Sequence, residues 1–553
     1  MKNIFFICSA LIILTSCGNK KENKDASITS SAPQKPNIVF IISDDHAYQA
    51  ISAYGGRLAE IAPTPNIDRI AKEGMLFERC LVTNSICGPS RAAILTGKYS
   101  HKNGFIDNTF GSKFDFNQQT FGELLQKAGY KTGVLGKLHL GDKPTKGFDY
   151  IDILPGQGSY YNPLFINDEG QYKLEGYTTE IITEKAISWM DSVATKDQPF
   201  MLFLGHKSPH RPWQPGPNEL GMYENVEIPE PSTLFDDYSG NREVAGMNYM
   251  SISEAMKMAQ DLKITDQPQN GFTPEQQEQW DAVYGPINAD FKKKNLKGDE
   301  ITRYKYQRYM KDYLASVAGV DKGVGAVLDY LKASGLDKNT IVIYTSDQGF
   351  YLGEHGWFDK RWMYKESLRT PLLVKWPGKV TPGSVNTDLV SNIDFAETFL
   401  DIAQTPIPED MQGKSLVPIL EGNTPKDWRN AHYYHYYEHP SEHDVRRHYG
   451  ITTNRYKLIH FYYDLDVWEL YDLEKDPKEL HNVYGDPEYA DIQAKLHDDL
   501  KELRVTYEDN ETLDQKFIQE YHEKVKENPM VEYWKLSPEE MSKLYQEYLK
   551  NRK

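Results

Sequence analysis

Cysteine is scarce in this sequence, which contains only four, and basic residues are fewer than acidic ones. With 63 Lys and Arg against 80 Asp and Glu, the formal net charge is −17. The field of such a chain repels polyanions, so nucleic acid is not expected as a partner. Aromatic residues make up 12% of the 553 residues, which is enough for a large core and excludes general disorder. An anionic substrate would therefore need a local positive pocket.

A long hydrophobic run is also missing. The apolar segment from Ile4 to Leu14 is shorter than the ~20 residues of a membrane-spanning helix and is typical of a signal peptide. Its end, Leu14-Thr15-Ser16-Cys17-Gly18, resembles the lipobox of bacterial lipoproteins, which implies lipid on Cys17. An ordinary signal peptide that contains a cysteine is the alternative. We expect a lipoprotein signal peptide over residues 1–16 and a lipid-anchored linker over 17–36, with the protein attached to the bacterial cell envelope.

Cys80 and Cys87 are the cysteines that remain in the folded body, which is too few for a disulfide network. A bridge between these two residues is one alternative. The sequence around Cys87 indicates another use.

Three apolar runs rich in β-branched and aromatic residues are typical of strands buried in a parallel sheet. They are Ile38–Ile42, Phe200–Leu204 and Ile341–Tyr344, and helical patterns such as Thr120–Ala128 and Tyr309–Ala333 lie between them. Apolar strands that alternate with helices predict an α/β fold, in which ligands bind at the carboxyl ends of the strands.

The remaining pattern predicts how the chain is divided. We expect a catalytic domain over residues 37–425, with a polar insertion at about 225–297 that borders or covers a cleft. A Tyr- and His-rich run, a strand near Lys457–Tyr463 and charged helical segments predict a smaller C-terminal α+β domain over 426–553.

The most specific segment is Cys87-Gly88-Pro89-Ser90-Arg91-Ala92-Ala93-Ile94-Leu95-Thr96-Gly97. Pro89 suits the first turn of a helix, which places Cys87 at a helix N-terminus that favours anions. The segment resembles the signature of the formylglycine-dependent sulfatases of the alkaline-phosphatase superfamily, Cys-x-Pro-x-Arg followed by Ala-x-x-x-Thr-Gly. This resemblance implies an alkaline-phosphatase-like, mostly parallel sheet flanked by helices. It also implies that a maturation enzyme converts Cys87 to formylglycine and that Arg91 holds the modified residue.

The same resemblance implies a metal site. Asp44-Asp45 and Asp347-Gln348 match the family's two pairs of ligands, and the modified side chain at position 87 is the fifth ligand. Hard oxygen ligands of this kind suit Ca²⁺. Gln348 departs from the Asn or His that is commonest at its position, but its amide oxygen is still able to ligate a cation.

Further motifs predict the groups around a sulfate. Lys137 and His139 are two residues apart, so a strand places both on one face. By resemblance, Lys137 and Lys360 bind the sulfate oxygens, His139 lies beside the formylglycine hydroxyl, and His210 is the general acid. His206 is the competing candidate for the acid, and the Pro-flanked pattern of Ser208-Pro209-His210-Arg211-Pro212 favours His210.

The substrate prediction depends on Asp359-Lys360-Arg361 and on His210-Arg211-Pro212-Trp213, which resemble segments of bacterial N-acetylglucosamine-6-sulfatases acting on glycosaminoglycans. The resemblance implies that Asp359 and Arg361 bind the O3 and O4 hydroxyls of the terminal sugar. It also implies that a C-terminal histidine, His448, closes the pocket. The predicted reaction removes the 6-O-sulfate of N-acetylglucosamine from a sulfated oligosaccharide.

Other interpretations stay open at this point. They are a sulfatase for sulfated galactose or another algal polysaccharide, a phosphonate or phosphodiester hydrolase of the same superfamily, and a non-catalytic glycan-binding lipoprotein. A second metal site is a further alternative, but the irregular spacing of its candidates favours surface or packing roles; they are His432, His435, His439 and His443.

The lipobox generates the first testable prediction. Because a lipid on Cys17 anchors the chain, we expect the full-length protein to pellet with the membranes when its native bacterium is fractionated. Proteolysis of intact cells then separates a periplasmic from a surface location. Recovery of the protein in the soluble fraction would contradict the anchor.

Overall fold

The computed structural model describes residues 35–109, 111–141, 143–194 and 198–528, and the single residues 532, 535 and 540. The predicted signal peptide, Cys17 and nearly all of the predicted linker lie outside the described residues. Within the described part, no helix is both long enough and apolar enough to span a bilayer.

The strands are distributed along the whole described chain. They are β1 (Asn37–Ser43), β2 (Met75–Phe77), β3 (Cys80–Leu81), β4 (Lys131–Lys137), β5 (Tyr150–Leu154), β6 (Leu164–Ile166), β7 (Gln171–Lys173), β8 (Phe200–His206), β9 (Thr340–Ser346), β10 (Tyr351–Leu352), β11 (Phe358–Asp359), β12 (Arg369–Thr370), β13 (Leu372–Lys375), β14 (Ser384–Asn386), β15 (Val390–Ser391), β16 (Ala431–Tyr436), β17 (His448–Thr453), β18 (Tyr456–Phe461) and β19 (Val467–Asp472).

Helices separate many of these strands. They are α1 (Ile67–Lys72), α2 (Cys87–Thr96), α3 (Ser100–Asn103), α4 (Phe121–Lys127), α5 (Thr178–Val193), α6 (Pro274–Lys293), α7 (Asp299–Ser334), α8 (Lys365–Leu368), α9 (Phe395–Ile402), α10 (Val417–Leu420), α11 (Ala490–Thr506) and α12 (Glu511–Glu527).

The main sheet has ten strands in the order β14-β2-β13-β9-β1-β8-β4-β5-β6-β7. The five central strands, from β9 to β5, are parallel, and antiparallel pairs occur on both sides of them. The three apolar runs of the sequence form β1, β8 and β9, which are direct neighbours. Because they are parallel, their carboxyl ends meet at one edge. The predicted α/β fold class is confirmed, with a mixed sheet.

Helices cover both faces of this sheet. Alternate residues of β1 point to opposite sides: Phe40 packs in a cluster with residues of α4 and α9, and Ile41 packs in a cluster with residues of α5 and α7. Burial on both faces explains why the central strands read as continuous apolar runs rather than as alternating ones.

The C-terminal part has its own antiparallel sheet in the order β16-β17-β18-β19. Leu496 and Leu500 of α11 pack against it together with Ile451 and Leu458. This smaller α+β unit agrees with the predicted fold class. The stretch 225–297, all of which is described, forms no strand of the main sheet and includes α6, whose start is capped by Thr273 and Gln276.

The aromatic cluster around β1 generates a stability prediction. The ring of Phe40 lies 5.3–5.7 Å from the rings of Phe203, Phe395 and Phe399 and is fully buried. We expect Phe40→Ala to lower the free energy of unfolding by about 3–5 kcal/mol, since the cavity cannot close fully. Urea unfolding measures the change. Val385→Ala, at a side chain that is 56% exposed, is the control and should change it by less than about 0.5 kcal/mol. A similar effect of both variants would contradict the packing argument.

Candidate active site

The carboxyl edge of the central sheet brings together side chains that are far apart in the sequence. Asp44 and Asp45 follow β1, Asp347 and Gln348 follow β9, and Lys137 ends β4. Asp44, Asp45, Asp347 and Gln348 are all fully buried, and Lys137 is buried with them. Three of the parallel strands, β1, β4 and β9, therefore collect three carboxylates, one amide and one ammonium group at a single edge.

Cys87 is the first residue of α2, as the position of Pro89 predicts. Its sulfur lies 3.1 Å from His139 Nδ1 and accepts a hydrogen bond of 3.1 Å from Asn108 Nδ2. Arg91, one turn further along α2, donates from Nε to Asp347 Oδ2 at 2.9 Å and from Nη1 to the Lys137 carbonyl at 2.5 Å. Arg91 thus ties the start of α2 to the ends of β4 and β9.

The chemistry of Cys87 as an unmodified thiol is unfavourable for attack. Burial raises the pKa of Cys87 to about 11, so the thiol is protonated at neutral pH. Cys80 and Cys87 are both free cysteines, so the alternative of a bridge between them is not present.

The predicted metal ligands have oxygen atoms without hydrogen-bond partners. Asp44 Oδ1 and Gln348 Oε1 are buried and unpartnered, which is costly unless another positive group satisfies them. The Asp45 amide donates to Asp347 Oδ1 at 3.1 Å, which holds the two aspartates side by side. Unsatisfied hard oxygens at the centre of a carboxylate cluster are what a Ca²⁺-type cation requires, so these residues fit such an ion.

Two buried lysines neutralise part of this cluster. The Lys360 ammonium donates to both oxygens of Asp45, at 2.6 and 2.8 Å, and the Lys137 ammonium pairs with Asp44. The structure therefore brings Lys137 and Lys360, which are far apart in the sequence, to the neighbouring carboxylates Asp44 and Asp45. Both are able to turn to an anion placed at this edge.

His210 also lies at this edge. Its Nε2 is 3.7 Å from Asp45 Oδ2, and its Nδ1 donates to the Arg211 carbonyl at 2.7 Å. Burial, together with Lys137, Lys360 and Lys207, lowers its pKa well below the ordinary value. The competing candidate, His206, is buried with its ring against Gly323 of α7, so the geometry favours His210.

Asp359 and Arg361 flank Lys360, and both are buried. Asp359 Oδ1 accepts from the Arg361 guanidinium, and Asp359 Oδ2 lies 3.2 Å from His443 Nε2. Although burial would raise the pKa of Asp359, the charges of Arg361, Lys360 and His443 hold it well below its ordinary value. An ionised carboxylate and a guanidinium therefore adjoin the lysine that pairs with Asp45.

The structure does not bring His448 to this site. Its ring is fully buried, with Nε2 accepting from the Met363 amide at 3.1 Å and Nδ1 donating to the Arg446 carbonyl at 2.7 Å. Because both ring nitrogens are used by the backbone, His448 has no free donor for a sugar, and this prediction needs correction. The C-terminal histidine that reaches the site is His443, which the sequence pattern assigned to packing.

Two further residues at the site were missed. Asn108 contacts the Cys87 sulfur, and Lys207 follows directly on β8 with its Nζ 4.9 Å from the ring centre of Tyr160. Burial lowers the pKa of Lys207 to about 8. Neither residue lies in a recognisable motif of its own. The one sequence feature that could have indicated Lys207 as a site residue is its position three residues before His210.

Several site residues have a left-handed backbone. The φ angles are 64° at Asp45, 58° at His139, 81° at Asp359 and 92° at Arg361. Such conformations cost about 1–3 kcal/mol in a non-glycine residue and concentrate at functional sites. The strain indicates that the surrounding fold holds these four side chains in place.

The other histidine group weighed from the sequence is part of a buried ion network. His435 Nδ1 lies 2.7 Å from Asp509 Oδ2, and His435 Nε2 lies 2.6 Å from the Tyr462 hydroxyl. Arg504 pairs with Asp514 in the same network, at 2.7 Å. His435, Asp509 and Asp514 also lie close enough together to hold a metal ion, so the packing role of His435 stays a prediction.

Comparison with known families identifies the class of protein. Residues 36–405 match the family model described as Sulfatase, and residues 353–506 match the model described as the C-terminal part of N-sulphoglucosamine sulphohydrolase. Because the first match covers more than half of the chain, this protein belongs to the sulfatase family and is a sulfuric ester hydrolase. The alternative of a non-catalytic glycan-binding protein is therefore set aside.

Particular relatives are informative as well. The chain is 46% identical over 520 residues to an N-acetylglucosamine-6-O-sulfatase of Bacteroides thetaiotaomicron, with coverage of 91% of this chain and 90% of the relative. It is 48% identical, with a TM-score of 0.84, to a solved structure of a protein in complex with its substrate D-glucosamine-2-N,6-O-disulfate, covering 87% of this chain and 100% of that one. An ulvan-active sulfatase of Formosa agariphila is 25% identical, covering 89% of this chain and 86% of the relative.

The carboxylate cluster generates a prediction about pH. Burial raises the pKa of Asp45 to about 7, against the opposing effect of Lys360. A cation binds the ionised form of this carboxylate, so protons compete with the cation below about pH 7. We therefore expect the affinity for Ca²⁺ to fall by up to about tenfold per pH unit between about pH 7 and pH 6. Calorimetric titration with CaCl₂ in two buffers measures both the affinity and the proton release.

The matched control is Glu469→Gln. Burial also raises the pKa of Glu469 to about 7, but this carboxylate bonds to Tyr364 and Tyr471 rather than to the cluster. The control should keep both the affinity and its pH dependence, and Asp45→Asn should lose tight binding. An affinity that does not change with pH in the wild-type protein would contradict the assignment.

Proposed function

We propose that this sulfatase hydrolyses the 6-O-sulfate of N-acetylglucosamine at the end of a sulfated glycosaminoglycan fragment, with Ca²⁺ and a formylglycine derived from Cys87. The observation that carries the proposal is the contiguous segment Asp359-Lys360-Arg361. Its lysine contacts the catalytic carboxylate Asp45, while its aspartate and arginine form the adjoining buried pair. The 46% identical N-acetylglucosamine-6-O-sulfatase supports the same substrate class.

Asp44, Asp45, Asp347 and Gln348 would hold the cation, together with the modified side chain at position 87. When bound, Ca²⁺ supplies positive charge to the sulfuryl oxygens and to the nucleophile. Sulfatases in general use formylglycine, whose hydrate carries two hydroxyl groups on one carbon. The high pKa of the Cys87 thiol supports a requirement for this modification, since the unmodified thiol is not ionised at neutral pH.

The chain's own cations would bind the sulfate. Charge that develops on sulfuryl oxygens in the transition state needs preorganised donors in a site without bulk water. Lys137 and Lys360 are fixed at this edge by Asp44 and Asp45, and the free amide groups at the start of α2 add to the positive field. Lys207 extends this set by a third ammonium group.

Proton transfer would involve His210 and His139. In the neutral tautomer of His210, Nδ1 carries the proton that is donated to the Arg211 carbonyl, so protonation occurs at Nε2, the atom that faces Asp45. The negative charge of a bound sulfate would offset the positive charge of the lysines, which lowers the pKa of His210 in its absence. The imidazole can then be protonated at Nε2 and donate this proton to the departing sugar oxygen. Burial and nearby cations lower the pKa of His139 and keep the ring neutral, so its Nδ1 can accept a proton from a hydroxyl group of the modified residue at position 87.

Recognition of the sugar would follow from the pair beside Lys360. The ionised Asp359 accepts hydrogen bonds from hydroxyl groups, and Arg361 donates to them. His443, on the C-terminal part of the chain, orients Asp359 through Oδ2. Because these groups adjoin the sulfate-binding lysine, they would select a terminal sugar whose ring carries free hydroxyl groups near the sulfated 6-position.

A panel of sulfated sugars tests this proposal. We expect sulfate release from N-acetylglucosamine-6-sulfate and from 6-O-sulfated glucosamine, and a rate at least about 100-fold lower with 2-, 3- or 4-O-sulfated sugars, because a displaced sulfate misses the positive pocket. The protein is co-expressed with a formylglycine-generating enzyme, and Cys87→Ala is the inactive control.

Two other outcomes of this panel would contradict parts of the proposal. Preferential release from galactose-6-sulfate or from ulvan fragments would assign the algal alternative instead. Sulfate release by Cys87→Ala at the wild-type rate would contradict the nucleophile.

A further inference from the structure

The stretch that the sequence sets apart as an insertion reaches the loop that carries His210. Its residues Asp261 and Lys263 are buried, with 0% and 1% of their surface exposed. Lys263 donates from Nζ to the Trp213 carbonyl at 2.9 Å, and Asp261 accepts from Arg211. The insertion therefore contacts both residues that flank Pro212.

Asp261 binds the Arg211 guanidinium with two parallel hydrogen bonds. Nε donates to Oδ1 at 2.6 Å and Nη2 donates to Oδ2 at 2.9 Å. The third nitrogen, Nη1, donates to Glu442 Oε1 at 3.2 Å, and the guanidinium carbon lies 5.6 Å from the ring centre of Phe358. A two-point contact between planar groups fixes orientation as well as distance. Arg211 is thus held from two sides, by the insertion and by the C-terminal part of the chain.

The backbone of Arg211 in turn holds the histidine. His210 Nδ1 donates to the Arg211 carbonyl at 2.7 Å, which fixes the ring orientation and leaves Nε2 towards Asp45. A shift of the Arg211 backbone would therefore rotate or release the imidazole. Small displacements of a proton donor reduce catalysis strongly, because transfer requires hydrogen-bond distance to the reacting oxygen.

We propose that Asp261 is a positioning residue for His210, and that it acts through its two-point contact with Arg211. The insertion then contributes to catalysis rather than only bordering the cleft. This inference depends on the proposed role of His210 as the general acid. It predicts a defect that is confined to the step in which the sugar oxygen leaves.

The choice of leaving group separates positioning from general stability. A sugar alcohol is a poor leaving group and needs the proton, whereas the oxygen of p-nitrophenyl sulfate leaves as a stabilised phenolate. For Asp261→Asn we expect kcat with N-acetylglucosamine-6-sulfate to fall by about 10- to 100-fold, with KM nearly unchanged. With p-nitrophenyl sulfate, kcat should change by less than about twofold.

The matched control is Asp472→Asn. Asp472 makes the same two-point contact with Arg455, at 3.0 and 2.8 Å, on the C-terminal sheet away from the His210 loop. This variant should leave both substrates unaffected. Arg211→Lys is the second test variant, because it keeps the charge and the backbone carbonyl but cannot form the fork, and it should reproduce the selective loss. It also provides the test if Asp261→Asn does not fold.

His210→Ala distinguishes failure of the inference from failure of the proposed function. If His210→Ala loses sugar-sulfate turnover selectively and Asp261→Asn does the same, with no further loss in the double variant, the inference is supported. If His210→Ala is selective but the Asp261 and Arg211 variants slow both substrates equally, or neither, the inference is overturned. If His210→Ala slows both substrates equally, the general acid of the proposed function is wrong, and the inference falls with it.

Discussion

Pairing of buried charges at the carboxyl edge of the sheet is the constraint on which the rest of this structure depends. Six charged side chains at this edge are at most 3% exposed: Asp44, Asp45, Asp347, Arg91, Lys137 and Lys360. Burial of any one of these ions without a partner would cost several kcal/mol. Arg91 neutralises Asp347, Lys137 neutralises Asp44, and Lys360 neutralises Asp45. These partners lie on α2, at the ends of β1, β4 and β9, and directly after β11, so each pair forms only when the fold brings two distant segments together.

This constraint also explains how an acidic chain can accept an anion. The net charge of −17 belongs to the chain as a whole, whereas Lys137, Lys207, Lys360 and Arg91 are concentrated at one edge. We expect a substrate sulfate to bind beside the two lysines that Asp44 and Asp45 hold at this edge. We expect such a pocket to capture the end of a sulfated chain rather than to bind along its length.

The sequence predicted those parts of the fold and site that depend on local pattern. β1, β8 and β9 were recognisable because burial on both faces makes them continuous apolar runs, and Cys87 was recognisable because Pro89 starts α2. The helix predicted over Tyr309–Ala333 extends in the structure from Asp299 to Ser334. Its first turns are polar, and Tyr306 within them lies in a buried cluster with Leu234 and Ile252 of the insertion, a contact that local pattern does not predict.

Contacts between distant segments could not be predicted in this way. Choosing between His443 and His448 requires knowing that the backbone of Met363 and Arg446 uses both nitrogens of His448. The contacts of Asn108 with Cys87, and of Asp261 with Arg211, join residues 21 and 50 positions apart without any repeated spacing. Only the folded chain makes them visible.

We propose that position 87 acts as formylglycine. The most direct measurement compares preparations made with increasing amounts of the maturation enzyme, using peptide mass spectrometry to determine the converted fraction at position 87. We expect sulfate release per protein molecule to be proportional to this fraction and to be zero without conversion. Equal activity in fully unconverted protein would contradict it.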